Sequence, residues 1–136
     1  AGAATAGLLA AALRDPEAHV RTAALRAVES SPPAVRLRMA RPPLSDAVRT
    51  VRVEAVRSLA TVPAETMNQQ QRSLFLETAA EYRAAQMAIA ERPEAHLNLG
   101  WFEATQGNFS AAEQSYRRAL SRDPTFLPAY VNLADL

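Results

Sequence analysis

The chain has 136 residues, 49% of them hydrophobic but only 6% aromatic, and a formal net charge of +1. That length suits one compact domain or a short repeat array, and an alanine-heavy apolar fraction favours closely packed helices. No cysteine, no apolar run of membrane-spanning length, no stretch that reads as a signal peptide and no alternating Val, Ile and Thr runs are present. Disulfides, thiolate metal sites, covalent haem attachment and strands are therefore not expected in these residues.

The small net charge hides an uneven distribution. Residues 1–60 carry nine arginines against five acids, and residues 61–136 carry six against nine. Every basic side chain other than the two histidines is a guanidinium, since lysine is absent. This fits either a use for bidentate contacts or a compositional bias toward Arg and Ala. The chain begins with Ala1 rather than Met, and reads as a fragment of a longer protein.

The first elements repeat. "LLAAALRDPEAHVRTAALRAV", Leu8 to Val28, shifted by 31 becomes "MARPPLSDAVRTVRVEAVRSL", Met39 to Leu59. Leu13, Asp15, Val20, Arg21, Ala24 and Val28 then fall on Leu44, Asp46, Val51, Arg52, Ala55 and Leu59. Each unit reads as helix, tight turn, helix. Asp15-Pro16 ends the first helix, because a residue before proline is pushed out of the α region. The carboxylates of Asp15 and Asp46 are placed to bond backbone N–H groups at the next helix start. Along the second helices, Val20, Ala23, Ala24, Ala27 and Val28 form one apolar face, and Val51, Ala55, Val56 and Leu59 another. Pro42-Pro43 should break or kink the first helix of the second unit. This pattern over residues 1–62 resembles HEAT-like repeats. The resemblance implies structural, inter-unit roles for Arg21 and Arg52 with Asp15 and Asp46.

Residues 63–92 predict a connecting helix over about residues 66–90, its start suited to Pro63 and Glu65. Tyr82-Arg83 and Ala85 anticipate Tyr116-Arg117 and Ala119 at a shift of 34, so this helix serves as the second helix of a degenerate unit. From Pro93 to Phe126 the period is also 34 residues. Leu99-Gly100, the turn glycine Gly107, the Ala112-x3-Tyr116 step and Pro124 follow W-x2-L-G-x2-Y…A-x3-F…P, the pattern of tetratricopeptide repeats. His96 stands at the first aromatic position and Glu103 at the expected Tyr. Ala95, Asn98 and Leu99 recur as Ala129, Asn132 and Leu133, so residues 127–136 read as the first helix of a further unit. The expected fold is all-α, an α-solenoid of HEAT-like helix pairs continuing into tetratricopeptide pairs.

No catalytic constellation is visible. His19, close to a helix start, reads as a solvated surface residue, and His96 as a packed one rather than a ligand. All four glycines are isolated, which leaves no phosphate loop, and no serine sits in a nucleophile motif. Glu77, Glu81, Glu91, Glu94 and Glu103 read as solvent-facing charge. No enzyme activity, metal or cofactor is expected here.

The resemblance to tetratricopeptide repeats implies a concave face that binds extended peptides. Its positions here are Glu94, Leu97, Asn98, Trp101 and Thr105, with Val131, Asn132 and Asp135 on the following helix. Trp101 is either a groove anchor or a side chain packed on the neighbouring helix in place of the missing aromatic at Glu103. Asn98 and Asn132 occupy positions that some members use to clamp a terminal carboxylate. The adjacent Leu97 and Val131 supply no base for that role.

The leading reading is a non-catalytic scaffold for a peptide or protein partner, the rest of its own parent chain included. In its combined order the chain also resembles the C-terminal repeat region of bacterial tetratricopeptide-containing multihaem c-type cytochromes, without their haem-binding part. That resemblance implies a structural docking module in the periplasm; without it a cytoplasmic location is expected. A third reading is nucleic-acid binding through Arg14, Arg21, Arg26, Arg49, Arg52 and Arg57. No aromatics interleave with these for base stacking.

Overall fold

The computed structural model describes residues 2–136 and contains helices and turns only. Eight α-helices run in order: α1 (Ala3–Ala12), α2 (Ala18–Val28), α3 (Pro33–Ala40), α4 (Arg49–Leu59), α5 (Gln69–Met87), α6 (Pro93–Thr105), α7 (Phe109–Arg122) and α8 (Leu127–Ala134). Two short 3-10 turns lie at Pro42–Ser45 and Ala64–Thr66. The protein is all-α. It divides into two compact units, Ala1–Tyr82 and Arg83–Leu136, with the division inside α5.

In the first unit, both prolines of Pro42-Pro43 lie in the 3-10 turn, after α3 has ended at Ala40. A missing N–H and a fixed φ stop the α-helical ladder there. Helix α2 buries Ala24, Leu25 and Val28, while Ala23 and Ala27 are exposed and Val20 is half-buried. The buried stripe is thus turned toward Leu25, away from the expected alanine face, because a leucine removes more apolar area from water than an alanine. Helix α4 buries Val51, Ala55, Val56 and Leu59, together with Glu54 and Ser58. It packs against both α2 and α3, so its buried surface is wider than one stripe. The buried Ser58 hydroxyl donates to the Leu25 carbonyl at 2.9 Å, which satisfies both groups.

Two arginines repeat one bonding pattern at the 31-residue shift. Arg21 Nη1 donates to the carbonyls of Asp15 and Pro16 at 2.7 and 3.0 Å, and Arg52 Nη1 to those of Asp46 and Ala47 at 2.8 and 3.2 Å. Each guanidinium also forks onto a carboxylate further along the chain. Arg21 grips Asp46 at 2.8 and 3.0 Å, and Arg52 grips Glu81 at 2.8 Å through both nitrogens. The planar fork matches a carboxylate in a way an ammonium cannot. The Arg21 contact holds the Asp46 carboxyl below its ordinary range. Asp15 and Asp46 each accept the N–H two residues on, from Glu17 and Val48, at 2.9 Å.

The start of α5 differs from expectation. Pro63 precedes the separate turn Ala64–Thr66, and α5 begins at Gln69. Its boundary is set by Asn68 and Gln71, each side chain accepting the other's backbone N–H at 2.8 and 2.9 Å. This reciprocal capping box satisfies two donors that a helix start leaves open.

In the second unit, α6 and α7 pack along their lengths as a helical hairpin, and α8 lies against both. Gly107 has φ +78, the only positive φ among the described residues. Its N–H bonds Ala104 O at 3.0 Å, and Asn108 N–H bonds Glu103 O at 2.9 Å, a left-handed helix stop that favours glycine. Helix α7 then buries Ala112, Ser115, Tyr116 and Ala119 at helical spacing.

Gly107→Ala is expected to destabilise the protein by about 1–2 kcal/mol, and Gly107→Asn by less, because asparagine tolerates positive φ better. Denaturant unfolding of both variants checks this, and an alanine variant as stable as the parent would contradict it.

Candidate functional site

Helix α6 starts with Pro93 at its first position and Glu94 in its first turn, both favourable where backbone N–H groups are open. It buries Ala95, His96, Leu99, Gly100, Phe102 and Glu103. Gly100 faces the ring of Tyr116: a Cβ built there would lie 2.3 Å from Tyr116 Cε1 and 2.5 Å from Cδ1. The absent side chain is thus what lets α6 and α7 approach. Burial pushes the Tyr116 hydroxyl up from its ordinary value, opposed by a hydrogen bond with the Asn132 side chain.

The two departures from the repeat pattern have separate solutions. His96 is 2% exposed, with Nε2 2.7 Å from Ala90 O, and so donates to that carbonyl. Arg122 Nε donates to the same oxygen at 3.2 Å. Glu103, expected to face solvent, is 9% exposed. Arg83 grips its carboxylate at 2.6 and 3.3 Å, and Asn108 Nδ2 donates to it at 2.8 Å. Arg83 also lies over the Phe102 ring, 5.0 Å from its centroid. Burial alone would push the Glu103 carboxyl up, but the two hydrogen-bonding partners and the Arg83 charge together hold it below the usual range. Glu81, likewise expected to face solvent, pairs with Arg52, while Glu77, Glu91 and Glu94 are exposed. The signal for Glu103 was its position: a carboxylate where an aromatic is normally packed needs a cation brought to it.

The eight groove positions do not behave alike. Glu94, Asn98, Trp101 and Thr105 follow helical spacing along one side of α6, the first two exposed and the last two half-buried. Asn98 donates to Gln86 Oε1 at 3.1 Å, and the Thr105 hydroxyl to Phe102 O at 2.6 Å. Leu97 instead packs against the core cluster of Ala112, Tyr116, Ala119 and Ala129. It is a packing residue rather than a groove residue, because that cluster offers it an apolar surface. On α8, Val131 and Asp135 are exposed, whereas Asn132 is half-buried and engaged with Tyr116. Leu99 is buried, and Pro124 is exposed with its carbonyl accepting the Tyr130 hydroxyl at 2.9 Å.

The first unit's six candidate phosphate-binding arginines are mostly committed elsewhere. Arg21 and Arg52 hold Asp46 and Glu81, Arg26 pairs with Glu54 at 3.4 Å, and Arg57 pairs with Glu29 and Glu54. Arg14 and Arg49 have no ion pair among the described residues. His19 is exposed, its side chain at 81%. Among the described residues no group of three or more His, Cys, Asp or Glu side chains is arranged to hold a metal. No described helix is long and apolar enough to cross a membrane.

The family model for the tetratricopeptide repeat matches residues 93–136. Those residues form tetratricopeptide-like repeats. The match covers α6, α7 and α8, which are the helices built around Gly100 and Tyr116. No curated protein and no solved structure matches the chain.

Glu103 binds fewer protons when folded than when unfolded, so its contribution to stability is present above the unfolded value, about 4.3, and is lost as pH falls through the lower folded value. Stability of the parent is expected to fall more steeply below about pH 4.3 than that of Glu103→Gln. Urea titrations at stepped pH check this, and parallel acid limbs would contradict it.

Proposed function

We propose that the chain is a non-catalytic interaction scaffold that binds a peptide or partner protein along α6 and α8. Tetratricopeptide repeats generally mediate protein–protein interaction, and residues 93–136 match that family. The observation that carries the reading is the stripe Glu94, Asn98, Trp101 and Thr105, left exposed or half-buried on a helix that buries Ala95, His96, Leu99, Gly100, Phe102 and Glu103 on its other side. A partly covered tryptophan among polar neighbours has the character of an interface anchor, offering a large rigid surface with little ordering cost. The exposed Asn98 amide beside it can orient a partner by hydrogen bonding. Glu94 on α6 and Asp135 on α8 bring negative charge and no base accompanies them in the eight-residue set. The face therefore suits an apolar side chain flanked by neutral or basic groups, and disfavours a terminal carboxylate.

For the first unit, we propose HEAT-like helix pairs acting as a structural support. The repeated arginine clamps, Arg21 onto Asp46 and Arg52 onto Glu81, favour this over nucleic-acid binding, since they remove two guanidinium groups from phosphate contact.

Peptides selected from a random display library against the whole chain provide the test. Trp101→Ala is expected to weaken the selected peptides by about 2 kcal/mol, roughly thirtyfold, with circular dichroism unchanged. Selected peptides that bind the variant as well as the parent, or that perturb only residues outside α6 and α8, would overturn the assignment.

A further inference from the structure

The first unit contains a hollow beside the Arg21–Asp46 clamp. It has a volume of about 460 Å³ and lies among α1, α3 and the Pro42–Ser45 turn. That size is within the range of small-molecule sites, roughly 300–1,000 Å³. Ala6, Ala10 and Leu13 line one side, and Met39, Pro42 and Pro43 the other. The small Ala6 and Ala10 side chains leave the space open, and no residue of α1 is fully buried.

The polar groups of this hollow are Arg14, Arg38 and Asp46. The Asp46 charge is already matched, because both of its oxygens are held by Arg21. Arg14 and Arg38 have no ion pair among the described residues, and their side chains stay exposed. An apolar floor with two unmatched guanidinium groups selects for one kind of ligand: an anion that carries an apolar body. Inorganic phosphate would meet the charge but leave the floor empty. A neutral hydrocarbon would fill the floor but not pair with the charge.

A second hollow shows that the space itself comes from the repeat, while the chemistry does not. It has a volume of about 400 Å³ and is lined by Arg41, Pro42, Ser45, Gln70, Gln71 and Leu74. At the 31-residue shift Ser45 replaces Arg14, Gln70 replaces Met39 and Leu74 replaces Pro43. The repeat therefore forms a hollow twice, but only the first has two arginines over an apolar floor.

We propose that the first hollow binds a small monocarboxylate with an aliphatic body. The chain of the ligand lies on the alanine, leucine, methionine and proline floor, and its carboxylate pairs with Arg14 and Arg38. This site is separate from the partner-binding face of α6 and α8 and does not depend on it.

The test is titration of the whole chain with sodium octanoate, followed by backbone amide resonances, with octan-1-ol and inorganic phosphate as comparison probes. Saturable octanoate shifts are expected at residues 6–14 and 38–46 and not at residues 70–74. The double variant Arg14→Ala, Arg38→Ala should weaken octanoate about tenfold or more by removing charge-assisted hydrogen bonds. Ala10→Phe, which fills the hollow, should abolish the saturable shifts. Octan-1-ol binding as tightly as octanoate would overturn the proposal. So would phosphate producing the same shifts, or octanoate shifts that survive the double arginine variant unchanged or fail to saturate. Circular dichroism of each variant separates loss of binding from loss of fold.

Discussion

The ring of Tyr116 lying on the bare backbone of Gly100 is the contact on which the second unit depends. Glycine inside a helix is ordinarily unfavourable by roughly 0.5–1 kcal/mol relative to alanine. The sequence accepts that cost at Gly100 because the vacant Cβ position holds an aromatic ring, which buries far more apolar surface than a methyl group. With the ring seated, Ala112, Tyr116, Ala119 and Ala129 form one buried cluster. Leu97 and Leu133 close over it from α6 and α8. Another side of α6 carries Glu94, Asn98, Trp101 and Thr105, which stay exposed or half-buried. The candidate binding face is thus a consequence of how the core is filled.

The first unit uses a different device. Its helices bury Leu25, Val28, Val51, Val56, Leu59, Phe75 and Tyr82, and hydrogen-bonded guanidinium groups tie its turns together beside that core. Arg21 ties the turn before its own helix to Asp46 in the turn before α4, and Asp46 offers its backbone carbonyl to Arg52, which reaches Glu81. The order is sequential: each arginine reads the turn behind it and the carboxylate ahead. Such a relay explains how a basic region can be structural rather than directed at phosphates.

Much of the fold was legible because it repeats. The tetratricopeptide pattern located Gly100, Gly107, Ala112 and Tyr116, and these are the residues that make the close approach, the turn and the buried stripe. Pro42-Pro43 gave the end of α3 because proline removes a donor wherever it occurs. What escaped the sequence depended on partners distant along the chain. Glu103 looked like surface charge until Arg83, twenty residues earlier, and Asn108 closed around it. Leu97 looked available to a ligand because helical spacing alone does not say which neighbour will cover a side chain. The Asn68–Gln71 capping box was written locally but was overshadowed by Pro63. Asn132, paired with Asn98 by period, differs from it in environment: Asn132 is half-buried and engages Tyr116, whereas Asn98 is exposed.

The most direct measurement is the stability change on Gly100→Ala in two backgrounds, the parent and Tyr116→Leu. In the parent, the new methyl group must displace the Tyr116 ring, and a loss of about 2 kcal/mol or more is expected from overpacking. With the ring gone, the same substitution meets only the helix preference for alanine and should be neutral or stabilising by up to about 1 kcal/mol. A change of sign between the two backgrounds would establish the contact as the organising constraint of the unit. An equal effect in both, of either sign, would contradict it.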